Sequence, residues 1–283
     1  MSESDSDARM RAGPDSGRRR ARRGNRKLVY LVSYPRSGNT LVREYFALLQ
    51  GRAQQSIYQG DVVDATDAAL TRALDHIEII KSHRIPADGS PMIYLVRDGR
   101  NATLSFLYMT FLFGGHQYSE LTEVYEGIWR LDATEGCWAD HVAEAVHQSE
   151  ARKVLFVRHE DLVSSPETAL RRMIRFMNAA VPASVLRECV RRHRGSDRYA
   201  QNPYNGYLYE PAKGSIYDIL KQRRGGDYWR HILDGRSRRY FHDRGATPLL
   251  LHFGYERSAG WWQEPDEGGN ETCVPAVDSK GIT

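Results

Sequence analysis

"LVSYPRSGNTLVREYF", residues 31–46, opens as an apolar run, breaks at Tyr34-Pro35-Arg36-Ser37-Gly38-Asn39-Thr40, and resumes with apolar residues at helical spacing. A strand that stops at a short polar loop and turns at once into a helix is the opening unit of an α/β sheet. In such sheets ligands sit beyond the carboxyl ends of the strands, so this break is where a site is expected. Gly38 allows close backbone approach, the following amides stand at a helix N-terminus, and Arg36 adds a fixed positive charge, a combination suited to a tetrahedral anion. Ser37, Asn39 and Thr40 supply further donors or cap the helix.

The same alternation continues outward from the loop. Apolar runs rich in Val, Ile and Tyr recur at Lys27–Ser33, Ile77–Lys81, Met92–Val96 and Lys153–Val157. Their unbroken hydrophobicity predicts strands of a mainly parallel sheet covered on both faces. Helices are predicted over Thr40–Leu49, Ala102–Phe113, Leu121–Gln148, Pro166–Asn178, Pro182–Arg192, Ser237–Arg244 and Pro248–Phe253. Ser165 ahead of Pro166, and Val181 ahead of Pro182, place proline at a first helical position. Gly195–Asp227 is irregular and too long for an ordinary connector, which marks it as a functional loop.

Composition narrows the function. A chain of 283 residues with 41% hydrophobic content can build one sizeable core. Residues 1–27 hold nine Lys or Arg against four acids, a charge of +5, which leaves −1 for the rest of a chain whose formal charge is +4. The body is therefore not a basic protein, and residues 1–26 read as a disordered, solvated basic arm without the aromatics that stack on bases. No nucleic-acid partner is expected. The expected division is this arm, a domain over 27–257, and a disordered tail over 258–283 in which Trp261 and Trp262 can still pack. The run after the tandem arginines is too short for an export signal, and no stretch is long enough to span a membrane. Cys137, Cys189 and Cys273 lack any CxxC spacing, which argues against disulfides and zinc and favours a reducing cytoplasm.

The loop also selects its ligand. The nucleotide-hydrolase pattern G-x-x-x-x-G-K-[ST] is missing, since there is one glycine and the cation precedes it. A loop with an internal Arg and no obvious metal carboxylate prefers a less charged group than a triphosphate, and sulfuryl carries one negative charge fewer than phosphoryl.

Residues Tyr34–Thr40 resemble the 5′-phosphosulfate loop of sulfotransferases that use 3′-phosphoadenosine-5′-phosphosulfate. "IIKSHRIP" (79–86) resembles that family's segment with the catalytic histidine, and "YLVRDGRNATLS" (94–105) its 3′-phosphate motif, with Arg97 and Ser105 eight apart. "RHEDLVSSPE" (158–167) resembles the stretch ending in Glu-Asp-Leu that reaches back to the nucleotide, and "RRGGDYW" (223–229) a shortened form of the segment closing over the 3′-phosphate. The resemblance spans residues 27–256. It implies a central, mainly parallel sheet flanked by helices, of the P-loop-containing nucleotide-hydrolase type, in a soluble bacterial member of the family.

It also implies roles. His83 is the general base, with Lys81 and Arg36 stabilising charge on the leaving phosphate oxygen. Arg36, Ser37, Gly38, Asn39, Thr40, Leu41, Arg97, Ser105, His159, Arg223, Arg224 and Gly225 bind the nucleotide, which is a co-substrate, and no metal is expected. A neighbouring Lys81 ammonium should keep His83 neutral. The acids Glu160 and Asp161 are read as structural. Leu41 stands where cytosolic members carry a Trp that stacks on adenine, so adenine needs other packing. Aromatic segments over 110–129 and 199–217, with tyrosines at 199, 204, 207, 209 and 217, could close over a small phenolic, lipid or natural-product hydroxyl acceptor. The alternatives are a metal-dependent P-loop kinase or nucleotide hydrolase, and a nucleotide-binding protein without catalysis.

Overall fold

The computed structural model describes residues 26–65, 67–114, 122–195 and 228–263. Five parallel strands form one sheet: β1 (Lys27–Ser33), β2 (Gln55–Ser56), β3 (Ile77–Ser82), β4 (Met92–Val96) and β5 (Val154–Arg158), in the order β2-β3-β1-β4-β5. The four long strands lie where the apolar runs predict them. β2 has two residues and no apolar run of its own.

Helices follow the strands: α1 (Asn39–Gln50), α2 (Gly99–Gly114), α3 (Thr122–Glu135), α4 (Trp138–Gln148), α5 (His159–Ser164), α6 (Pro166–Phe176), α7 (Ala183–Gly195), α8 (Gly235–Asp243) and α9 (Ala246–His252). The single helix predicted over 121–148 is two helices. Gly136, at φ 88°, ends α3 in a left-handed conformation that suits glycine, and the chain restarts at Trp138. The short α5 is not foreseen by the pattern. Proline opens α6 as expected.

Side chains alternate across each strand, so the sheet feeds two cores. One holds Val32, Met92, Tyr94 and Val96 with Phe106, Leu107, Trp138 and Val142 of α2 and α4. The other holds Val29, Leu31, Ile79, Ile93 and Leu95 with Val42, Phe46 and Leu49 of α1 and Leu170, Met173 and Leu186 of α6 and α7. Burial on both faces is the physical reason the strand sequences run apolar without alternation.

The first core closes at its C-terminal edge around a buried guanidinium. Arg100 pairs with Asp98 at 2.6 Å and with Glu256, and its plane lies 3.7 Å from the Trp229 ring centroid and 4.6 Å from that of Trp261. Trp261 is fully buried in a single-turn segment, Trp261–Gln263, so the packed chain runs past residue 257.

Candidate active site

The strand order puts β1 between β3 and β4: the chain leaves β1 towards the β3 side, and the later crossover from β3 passes to the other side, to β4. The loop after β1 therefore lies in the crevice where connections diverge. Arg36 has φ 65° and Gly38 φ 101°, while Ser37 between them keeps a negative φ. Such alternation curls successive amides inward, an anion-binding concavity. Gly38 is the N-cap of α1, and no side chain caps that helix. The expected capping by Ser37, Asn39 or Thr40 is thus corrected: the left-handed glycine turns the chain into the helix directly, and the Asn39 amide donates instead to Ser33 Oγ at 2.8 Å. Ser37 is 1% exposed, and its hydroxyl finds no partner among the described residues. A buried donor left open in an amide-lined loop fits an anionic ligand. Thr40 lies in the first turn of α1, partly covered, and Leu41 packs partly buried against the α6–α7 core.

Three further segments converge on this loop. Arg97, at the end of β4, donates through Nη1 to the Arg36 carbonyl oxygen at 2.9 Å. Ser105, one turn and more into α2, accepts from Arg36 Nε at 3.2 Å. Arg97 forms no ion pair with its neighbour Asp98, whose carboxylate Arg100 occupies through two nitrogens. His159, the first residue of α5, packs under Gly38 so closely that a Cβ there would sit 2.9 Å from its ring. Burial first, then Arg97 and Arg36, push the His159 pKa down to about 3, so the ring is neutral. Two arginines, a serine and a histidine from four separate elements thus face one crevice.

His83 follows β3 by one residue. Its Nδ1 lies 2.9 Å from the Ser33 carbonyl oxygen. A carbonyl only accepts, so Nδ1 carries the proton and Nε2 keeps a free lone pair. Burial, aided by the Lys81 charge, drives the His83 pKa down to about 3. The neutral imidazole expected from Lys81 is found, with burial as its larger cause. Its backbone is also fixed: the His83 amide donates to Tyr58 Oη at 3.2 Å, and His141 Nε2 donates to the His83 carbonyl oxygen at 2.8 Å while accepting from Tyr94 Oη at 2.7 Å on its other nitrogen.

Lys81 is no solvated strand-end lysine. Its side chain is 14% exposed and its Nζ lies 2.6 Å from Asp61 Oδ2 and 5.5 Å from the Tyr58 ring centroid. Tyr58 faces His83 as well, at 5.9 Å between ring centroids. Asp61 holds Arg43 on its other oxygen at 2.7 Å. Burial alone would raise the Asp61 pKa, but Lys81 and Arg43 hold it at about 2. Tyr58, Asp61, Arg43 and His141 escape sequence reasoning, having no motif and meeting the site from distant positions. Tyr228, which donates to the Asn101 carbonyl oxygen at 2.6 Å and lies near Arg97 and Arg36, stands inside the quoted "RRGGDYW" stretch but is not singled out. Glu160 accepts from Tyr255 Oη at 2.9 Å, in line with a structural role. Arg223, Arg224, Gly225 and the tyrosines at 199, 204, 207, 209 and 217 lie outside the described residues.

A parallel sheet with an anion loop after β1, cationic side chains from neighbouring strands and a strand-end histidine defines a group-transfer enzyme for an anionic donor. The family profile described as Sulfotransferase domain matches residues 26–244, and the chain belongs to the family of sulfotransferases that use 3′-phosphoadenosine-5′-phosphosulfate. Mouse sulfotransferase 1E1 is 20% identical over 244 residues, covering 75% of this chain and 80% of that protein. Human sulfotransferase 1E1 is 23% identical over 230 residues, covering 72% and 78%. Among solved structures, mouse sulfotransferase SULT7A1 complexed with PAP shares the fold at TM-score 0.54 and 17% identity, over 84% of this chain and 88% of that one. Retinol dehydratase in complex with androsterone and inactive cofactor PAP does so at 0.53 and 15%, over 79% and 80%. No helix among the described residues is long and apolar enough to cross a membrane.

Proposed function

We propose that this enzyme moves a sulfuryl group from 3′-phosphoadenosine-5′-phosphosulfate to the hydroxyl of a small acceptor, with His83 as general base. The donor, when bound, supplies an activated sulfuryl group on a phosphate leaving group. The observation that carries the reading is the convergence of Arg36, Arg97 and Ser105, joined by hydrogen bonds, on a loop whose root, Ser33, also fixes the His83 tautomer. Arg97 and Ser105 take the 3′-phosphate; the loop amides, Ser37 and Arg36 take the 5′ side. His83 Nε2, unprotonated and aimed by the Ser33 carbonyl, accepts the acceptor's hydroxyl proton. Arg36 and Lys81 place positive charge where the leaving oxygen becomes more negative.

The acceptor class follows from charge. A body of net charge −1 suits a neutral phenol, lipid or natural-product alcohol better than a polyanion. The free, buried Cys137 and Cys189 support a cytoplasmic setting.

Calorimetric titration with 3′-phosphoadenosine 5′-phosphate, with ATP as control, tests the binding half. Arg97→Ala should weaken that binding by roughly ten- to a hundred-fold, the worth of a hydrogen bond to a charged group. His83→Ala should bind normally and lose about a hundred- to ten-thousand-fold in transfer rate. Undiminished transfer by His83→Ala, or activity that requires ATP and magnesium, overturns the reading.

A further inference from the structure

The carboxylate beside Lys81 belongs to none of the family motifs. Asp61 sits in the loop after β2, and its two oxygens are divided between two cations, Arg43 of α1 at 2.7 Å and Lys81 of β3 at 2.6 Å. Arg43 is 1% exposed and also donates to the carbonyl oxygens of Gln54 and Asp61, each at 2.9 Å. The loop carrying Asp61 is therefore clamped, backbone and side chain together, to the helix that begins at the anion loop.

We propose that Asp61 is a positioning residue for the transfer step, holding Lys81 beside His83 and keeping its amine in the ammonium form while Arg43 offsets the carboxylate's own charge. The proposal rests on the reading of Lys81 as a cation facing the leaving oxygen.

Three considerations support it. An ammonium has three N–H donors, so the Asp61 contact leaves two for an oxyanion. A lone Lys81–Asp61 pair would be neutral and would do little for an anionic leaving group, whereas Arg43, Asp61 and Lys81 together retain one positive charge. Lys81 is also surrounded by groups that favour loss of its proton. Burial does so most, and Arg43 of α1 and Arg36 of the β1 loop add to it; Asp61 opposes them, while the neutral His83 and Tyr58 complete the surroundings. Without Asp61, the amine would lose its proton nearer neutral pH, and with it the charge on which its role depends.

The test is the pH dependence of kcat for the wild type, Asp61→Asn, Asp61→Glu and Lys81→Met. Asp61→Asn should lose rate chiefly in kcat, with its alkaline limb displaced to lower pH by about one to three units, the usual influence of one adjacent charge. Asp61→Glu should restore the limb. Lys81→Met should be slow and lack it. If Lys81→Met behaves so while the Asp61→Asn limb stays in place, Asp61 has no such role and the reading of Lys81 stands. If Lys81→Met keeps both rate and limb, the reading of Lys81 falls, and the proposal with it. Should Asp61→Asn fail to fold, because Arg43 is left buried without its carboxylate, carbon-13 NMR of the wild type decides. An Asp61 carboxyl titrating at about 2 supports the ion pairs, and the ordinary 3.8 overturns them.

Discussion

Burial is the main reason the imidazoles of His83 and His159 are neutral, and that cause persists below pH 7. Both His83 and His159 are held at about 3 rather than 6.5. Between those values the unfolded chain binds protons that the folded chain refuses, so stability rises with pH over that window and is lost as pH falls through it. Acid unfolding followed by circular dichroism should therefore begin below about pH 6.5, with a slope reaching two extra protons. His83→Gln with His159→Gln should flatten the curve between pH 6 and about 4, the pH window those two residues control. An unchanged slope would mean that neither ring is sequestered. The same burial means that the free enzyme's activity should not fall around pH 6.5, where an exposed histidine base would become protonated.

At the scale of the element, the loop from Tyr34 to Gly38 and the start of α1 act as one unit. Gly38→Ala adds a methyl at φ 101° and 2.9 Å from the His159 ring, so both the backbone and its neighbour resist. The expected cost is about 1–3 kcal/mol of stability, read by denaturant titration, together with weaker binding of 3′-phosphoadenosine 5′-phosphate; a variant with unchanged affinity would show that the loop's curl does not shape the anion site. Elements of this kind were legible from sequence because their cause is local. Four apolar runs predicted the long strands, and Pro35-Arg36-Ser37-Gly38 marked the loop. What stayed hidden is non-local or very short. β2 is two residues paired to β3 and has no hydrophobic signal. Apolar residues continue at helical spacing through Gly136, so the pattern ran α3 into α4. Asp61 is one of several acids in its segment, and only the fold brings it to Arg43 and Lys81, 18 and 20 residues away in sequence. His141 reaches His83 across 58 residues. The motif-bearing segments stand out in the sequence; Tyr58, Asp61, Arg43 and His141, which the fold brings against them, do not.

On the scale of the whole molecule, the sheet is closed by residues that come late in the chain. Trp229 and Trp261 pack edge to face at 5.5 Å between centroids and enclose Arg100, whose charge is met by Asp98 and Glu256. Trp261→Ala should cost about 3–5 kcal/mol, measured by chemical denaturation, because it opens a cavity and uncovers a buried ion pair. A loss under 1 kcal/mol would show that the segment after Arg257 is an accessory rather than part of the core.

That arrangement sets an order of events during synthesis. Every strand is translated before the indole that covers Arg100 leaves the ribosome, so the nascent chain carries a half-enclosed guanidinium in an open pocket until residue 261 emerges. Completion of the fold waits on that residue, and a ribosome stalled shortly before that tryptophan would display a sheet with one face unsealed.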